Sequence, residues 1–531
     1  MDHTASDASS PYPVKDFRFR VVILCLCICC FIASLDTIIL SSTLPAIAAS
    51  LQATTTDAYW CSASFLFAQS VVQLIYAVVA RALNRRTCML AALGFFGFAS
   101  ILCATARNIQ WLIAARTIQG VGTGGTNALV QLILTDIAPL AERPKYTGLV
   151  TLFSAFGLVI GGLCGAAIVQ HTAWPLVFWI NLPICVPTMV GFAWCLDAPP
   201  RQSSVWKAIK KTDWGGGIIV TGSLAGILFA LNSGNAVYPW TSGRILSLLI
   251  CGGFGLLGFV AYERFVAKEN AILPGRLFSN VTAVSAYIMA LLHSIILWTA
   301  TYYFFLYLTF CSHSYLGAAI LMLPATLTFP PSAAIAGHII GRTLKYQMAN
   351  IIGFAFLVGG LSGLANLNEF SSVGLQIGLL LIVGTGFGIP FISKVFMAQT
   401  AVAEDDQYMA TAIVSTVTSV GECFGVAISS TTFQNRWNAL LEKELKQTVL
   451  SVVIKGSDAE RSTALLATLD KETAGFYRHI AMQSFQTVWI VMGSLAGVAL
   501  ILSLFIRDPK TKEATPTESS VEAIILDKEK A

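Results

Sequence analysis

The chain has 531 residues, 55% hydrophobic and 11% charged, with a formal net charge of +5 and a mean hydropathy of +0.71. A soluble domain carries about 25% charged residues, so this composition excludes an ordinary water-facing surface and makes lipid the expected partner. The net charge is small and no Lys/Arg-rich arm with interleaved aromatics is present, which excludes nucleic acid as a partner.

In chain order, the opening MDHTASDASSPYP is polar and lacks a cleavable-signal pattern, so residues 1–20 read as a disordered N-terminus. A helix needs about 20 apolar residues to cross the hydrocarbon core. Spans on that rule are approximately 21–43, 58–79, 87–106, 111–136, 146–169, 174–196, 214–233, 244–266, 281–310, 315–337, 349–366, 373–398, 408–430 and 481–506, fourteen in all. Only 197–213 and 431–480 resemble solvated loops of any length, and residues 507–531 form a charged Thr/Ser/Glu-rich tail.

Lys and Arg in the short loops set the orientation. Lys15, Arg18 and Arg20 flank the first span. Alternate loops carry Arg81, Arg85 and Arg86; Arg143 and Lys145; Arg201, Lys207, Lys210 and Lys211; Lys268 and Arg276; Arg342 and Lys345. Both termini are therefore expected to be cytoplasmic, and the sequon at Asn280 falls on the cytoplasmic side. Most of the thirteen cysteines lie within apolar runs, and the CxxC of Cys27 and Cys30 has no second pair at zinc spacing, so no metal is expected.

The chain also repeats itself. Gly120, Gly122 and Gly124 of the fourth span recur 264 residues later as Gly384, Gly386 and Gly388 of the twelfth. Gly157 and Gly161 of the fifth recur at the same interval as Gly421 and Gly425 of the thirteenth, and Arg85 is followed at 260 by Lys345. Small residues at this spacing let helix backbones approach closely, and an internal repeat is common in transporters. The expected organisation is a six-helix bundle over 21–196, a linker with two inserted spans over 197–280, and a second six-helix bundle over 281–506 carrying an extracellular loop at 431–480.

Ionisable groups within spans are functional candidates by default. Asp36, in SLDTIILSSTLP, is either a site for a proton or a cationic substrate or a residue at the helix's aqueous end. Arg116 either holds substrate and tunes a neighbouring carboxylate or anchors at the interface. Gln119, Asn127 and Gln131 follow on the same span as a candidate wet face, and Glu422 is the second-half carboxylate. His293 lies 257 residues after Asp36, near the repeat offset, and is either a titrating group on the path or a packing residue. Gly120, Gly122 and Gly125 satisfy GxGxxG, but they follow a helical span and no βαβ unit surrounds them. No catalytic or nucleotide-binding constellation appears.

These motifs bear a family likeness. LDTIILSSTLPAIA at 35–48, LIAARTIQGVGTGG at 112–125, FWINLP from Phe178 to Pro183, YPWTS, ILPGRLF and AQTAVAEDDQYMATA together resemble the major facilitator superfamily, specifically its fungal fourteen-span drug:proton antiporter branch. Some positions depart from that pattern: Ala77, Arg81 and Asn84 stand where the cytoplasmic loop motif has Gly, Asp and Gly, and Leu158 stands where the fifth-span motif has proline. The resemblance implies an all-α polytopic fold of two six-helix bundles plus two inserted helices. It further implies proton-coupled efflux of small apolar or amphipathic compounds, powered by a proton gradient without a bound cofactor, by a monomer in the plasma membrane or, alternatively, the vacuolar membrane. Under it Asp36, Glu422 and Arg116 couple protons, and Arg81, Arg85, Arg86, Arg342 and Lys345 belong to the conformational loops. The rival readings are an uptake or vacuolar carrier of siderophores or basic amino acids, and a non-transporting sensor.

Overall fold

A computed structural model describes residues 16–53, 55–139, 142–196, 213–234, 238–267, 275–311, 315–368, 371–403, 406–444, 454–459, 469–506 and 508. Residues 1–15, the linker at 197–212 and almost all of the tail lie outside the described residues. Fourteen long helices occupy the described chain: α1 (Phe17–Ser50), α2 (Thr55–Ala82), α3 (Arg85–Ala104), α4 (Ile109–Ile137), α5 (Arg143–His171), α6 (Leu176–Cys195), α7 (Trp214–Ser233), α8 (Gly243–Tyr262), α9 (Val281–Phe310), α10 (Tyr315–Thr343), α11 (Tyr346–Leu364), α12 (Val373–Thr400), α13 (Gln407–Glu444) and α14 (Lys471–Leu504). Among the described residues, twelve of these are long and apolar enough to cross a membrane by composition; α2 and α4, which carry polar side chains along their length, are the exceptions.

The expected loop at 431–480 is shorter than its hydropathy suggested. α13 continues to Glu444 and α14 already begins at Lys471. Hydropathy marks where side chains turn polar, whereas a helix ends only where its backbone bonding stops. At 38 residues α13 is about 57 Å long, far more than the hydrocarbon core requires. Its projecting end is stabilised by Trp437, which stacks on Tyr477 with ring centroids 5.8 Å apart and donates its indole N–H to the Ile454 carbonyl at 2.9 Å.

The repeat is realised as repeated packing. α1 packs on α5 and α9 on α13; α2 packs on α4 and α10 on α12; α3 packs on α4 and α6 as α11 does on α12 and α14. Close approach is what the paired glycines provide. A Cβ on Gly120 would overlap the Phe65 carbonyl, and one on Gly384 would overlap the Ala325 carbonyl, 260 residues further on. Gly124 and Gly388 face Gln69 and Phe329 in the same way, Gly122 and Gly386 face α3 and α11, and Gly157 and Gly421 face α1 and α9. Leu35 and Ile295 lie against Gly161 and Gly425, so Asp36 corresponds to Ile296. The near-repeat offset read between Asp36 and His293 is therefore corrected: His293 corresponds to Ala33.

The halves meet along two symmetry-related seams, α2 on α13 and α5 on α10. Gln73 bridges the first, donating to Ser419 at 2.6 Å and accepting from Ser415 at 2.9 Å. At the second, Gly148 lies directly against Ala334. The inserted pair α7–α8 packs beside the first seam through α7, where Phe229 stacks on Trp60. The outer face of α8 exposes Leu246, Ile250, Phe254 and Leu257, as expected of a lipid-facing helix.

The glycine contacts predict a graded response. Gly120→Val and Gly384→Val should each lower stability by about 1–3 kcal/mol or more through overpacking, seen as a lower thermal midpoint in detergent. Gly94→Ala, at a position with no neighbour within 4 Å, should leave the midpoint unchanged.

Candidate functional site

Asp36 and Arg116 are brought together inside the first half. Arg116 Nη1 donates to Asp36 Oδ2 at 2.6 Å, and both side chains are essentially fully buried, at 1% and 0% exposure. Asp36 Oδ1 also accepts from Gln119 Nε2 and Asn181 Nδ2, each at 2.8 Å. Gln119 Oε1 accepts a second bond from Arg116 Nη1 at 2.8 Å, and its amide nitrogen donates to the Ser100 hydroxyl at 3.1 Å. The guanidinium carbon lies 4.0 Å from the Phe65 ring centroid, a cation–π geometry. Side chains of α1, α2, α3, α4 and α6 thus converge on one buried ion pair.

Asn181 is absent from the candidates read in the sequence. It occupies the break in α6, where the helix interrupts at Ile180–Asn181 and restarts with Pro183 in its first turn. Proline tolerates a first-turn position because its missing N–H would have no intrahelical partner. The FWINLP string carried this signal, a polar side chain beside a helix break within an apolar span.

The second half holds a different cluster. His293 Nε2 lies 2.9 Å from the Phe387 carbonyl, and its Nδ1 lies 3.2 Å from Lys394 Nζ. A carbonyl only accepts, so His293 donates from Nε2 and is left to accept from Lys394 Nζ at Nδ1. Both are buried, at 0% and 2% exposure, and Lys394 also sits 5.3 Å from the Phe391 ring centroid. Glu422, on α13, is half-buried; it interacts electrostatically with Lys394 and lies beside the Trp298 side chain. Lys394 was missed by the sequence reading, although a lone lysine inside the twelfth apolar span is itself a signal.

The remaining candidates separate. The supposed wet face of α4 divides, because Gln119 and Gln131 lie about 120° apart around the helix. Gln119 turns into the first bundle, Asn127 is half-buried, and Gln131 lines a crevice between the halves with Thr135, Arg143, Phe396 and Gln399. Arg85 bonds Asp136 at 2.8 Å and the Ala80 carbonyl, both within its own half. Arg86 is half-buried, Arg342 and Lys345 are exposed, and the side chain of Arg81 lies outside the described residues.

Removing one partner of a buried ion pair leaves the other charge uncompensated, at a cost of about 3–5 kcal/mol. Asp36→Asn and Arg116→Met should each lower the thermal midpoint strongly, and the double substitution should recover part of that loss. A double mutant that loses the sum of the two single effects would show that the residues act independently.

The profile of the Major Facilitator Superfamily matches residues 26–426. An MFS-type efflux pump, LUC4, of a Fusarium species is 29% identical over 524 residues, covering 98% of this chain and 93% of that relative. The acurin A biosynthesis cluster MFS-type transporter of Aspergillus aculeatus is 28% identical, covering 97% and 94%, and MFS transporter L2 of a Phoma species is 31% identical, covering 93% and 82%. Among solved structures, the human organic anion transporter MFSD10 (TETRAN) superposes with a TM-score of 0.58 at 14% identity, over 91% of this chain and 99% of that one, a likeness of fold alone. With the profile covering the first half and most of the second, and relatives alike along nearly the whole length, this multi-pass membrane chain belongs to the Major Facilitator Superfamily.

Proposed function

We propose that the protein is a proton-coupled exporter of small, largely apolar organic compounds of the kind made by fungal secondary metabolism. The observation that carries this reading is the whole-length similarity to proteins named as efflux pumps and as a metabolite-cluster transporter. Arg85, Arg86, Arg143, Lys145, Arg276, Arg342 and Lys345 lie in or beside connections at one end of the bundle, and under the positive-inside rule that end faces the cytoplasm. The plasma membrane is the location that fits export from the cell, and a single chain contains both halves that alternating access needs.

Glu422 is the carboxylate suited to exchange a proton with the path. It is half-buried and faces the aromatic side chain of Trp298, whereas Asp36 is enclosed by three donors. In this account Arg116 and Asp36 keep the first half rigid while the second half changes protonation. The proton gradient supplies the energy. Uptake has no comparable support from the relatives.

Comparing metabolites in the medium of cells with and without the gene identifies the cargo. Inside-out membrane vesicles should then accumulate it when their interior is acidic and lose it when a protonophore is added. Glu422→Gln should cut the gradient-driven accumulation by about tenfold or more, within the range of general acid–base contributions, while leaving expression intact. Cargo uptake into whole cells that depends on the gene would overturn the direction assigned here.

A further inference from the structure

At the basic end of the bundle, residues of one half touch their own repeat equivalents in the other. Arg143 begins α5 and Gln407 begins α13, 264 residues apart, the same interval as Gly157 to Gly421. Arg143 Nη1 donates to Gln407 Oε1 at 2.8 Å. Thr135 of α4 and Gln399 of α12 are also 264 residues apart, and Gln399 Nε2 donates to Thr135 Oγ1 at 3.2 Å. Two symmetry mates touch only beside the axis that relates them, so these contacts mark where the pseudo-twofold axis leaves the bundle.

The cluster is cross-braced. Gln399 Oε1 accepts from Arg143 Nη1 at 3.3 Å, and Gln399 Nε2 also donates to Thr411 Oγ1 at 2.9 Å. Gln399 is 3% exposed and Thr411 1%, so the amide is sealed between the halves. Arg85, at the start of α3, meets Asp136 and the Ala80 carbonyl, both in its own half. A charged donor meeting neutral amide oxygens is weaker than an ion pair, which suits a contact that breaks and reforms.

We propose that Arg143, Gln399 and Gln407 form the latch that holds the cytoplasmic end closed, released once per transport cycle. The proposal rests on the alternating-access reading above. The latch stabilises one of two states, so weakening or strengthening it moves the population in opposite directions. Plain packing residues would loosen the fold under either change.

Hydrogen–deuterium exchange of the full chain in lipid nanodiscs tests this without any cargo. Gln399→Ala removes the central amide. Gln407→Glu sets a carboxylate against Arg143. At the cytoplasmic ends of α4, α5, α12 and α13, exchange should rise about fivefold or more in Gln399→Ala, the effect of losing one or more hydrogen bonds. It should fall below wild type in Gln407→Glu, and the opposite ends of α5 and α13 should change with reversed sign. Faster exchange at both ends in Gln399→Ala, faster exchange at the cytoplasmic end in Gln407→Glu, or no change in either variant overturns the latch. Exchange reads no transport, so such a result would leave the export assignment standing, and a failed export assay would leave the exchange result interpretable.

Discussion

A charge taken out of water into a membrane protein costs several kcal/mol unless another charge or a set of donors meets it. Asp36 and Arg116 meet that requirement for each other at 2.6 Å, and the arrangement of the first half follows from it. The pair draws Gln119 and Asn181 onto the carboxylate and sets the guanidinium over Phe65. Five of the six helices in that bundle are thereby tied to one point. A body so tied is suited to move as a unit rather than to deform, as rocking of one half against the other requires.

The two halves share a packing scheme and differ in their charges. Glycines on α4 and α5 admit α2, α3 and α1 at close range, and their counterparts on α12 and α13 admit α10, α11 and α9 in the same way. Yet Ile296 occupies the place of Asp36, Leu380 that of Arg116, and Val130 that of Lys394. Backbone approach is a constraint that both halves must satisfy to pack, so it keeps the repeat. Charge serves only where the protein uses it, so it has no reason to be duplicated.

Much of this fold was legible in the sequence. Val281–Phe310 coincides with its expected span, because apolar length and helix length agree there. The repeat was legible because a close helix crossing tolerates few residues other than glycine. The extension of α13 to Glu444 was not, since a helix keeps its backbone bonds where polar side chains interrupt its apolar run. Within the site, Asp36, Arg116 and Gln119 were each visible on their spans, but their convergence depends on helices far apart in sequence. Asn181 was hidden because its importance comes from a helix break. Gln399 was hidden because an amide near a helix end resembles any polar end residue until the partner across the axis is known.

The central claim is that a proton and the cargo exchange at a carboxylate in the second half, with the Asp36–Arg116 tie as a fixed frame. A proton count on cargo binding tests this most directly. Cargo added to purified protein in weakly buffered solution should release up to one proton per site, and Glu422→Gln should bind cargo without releasing any. Cargo binding to the wild-type protein with no proton released, or release that persists in Glu422→Gln, would contradict the account.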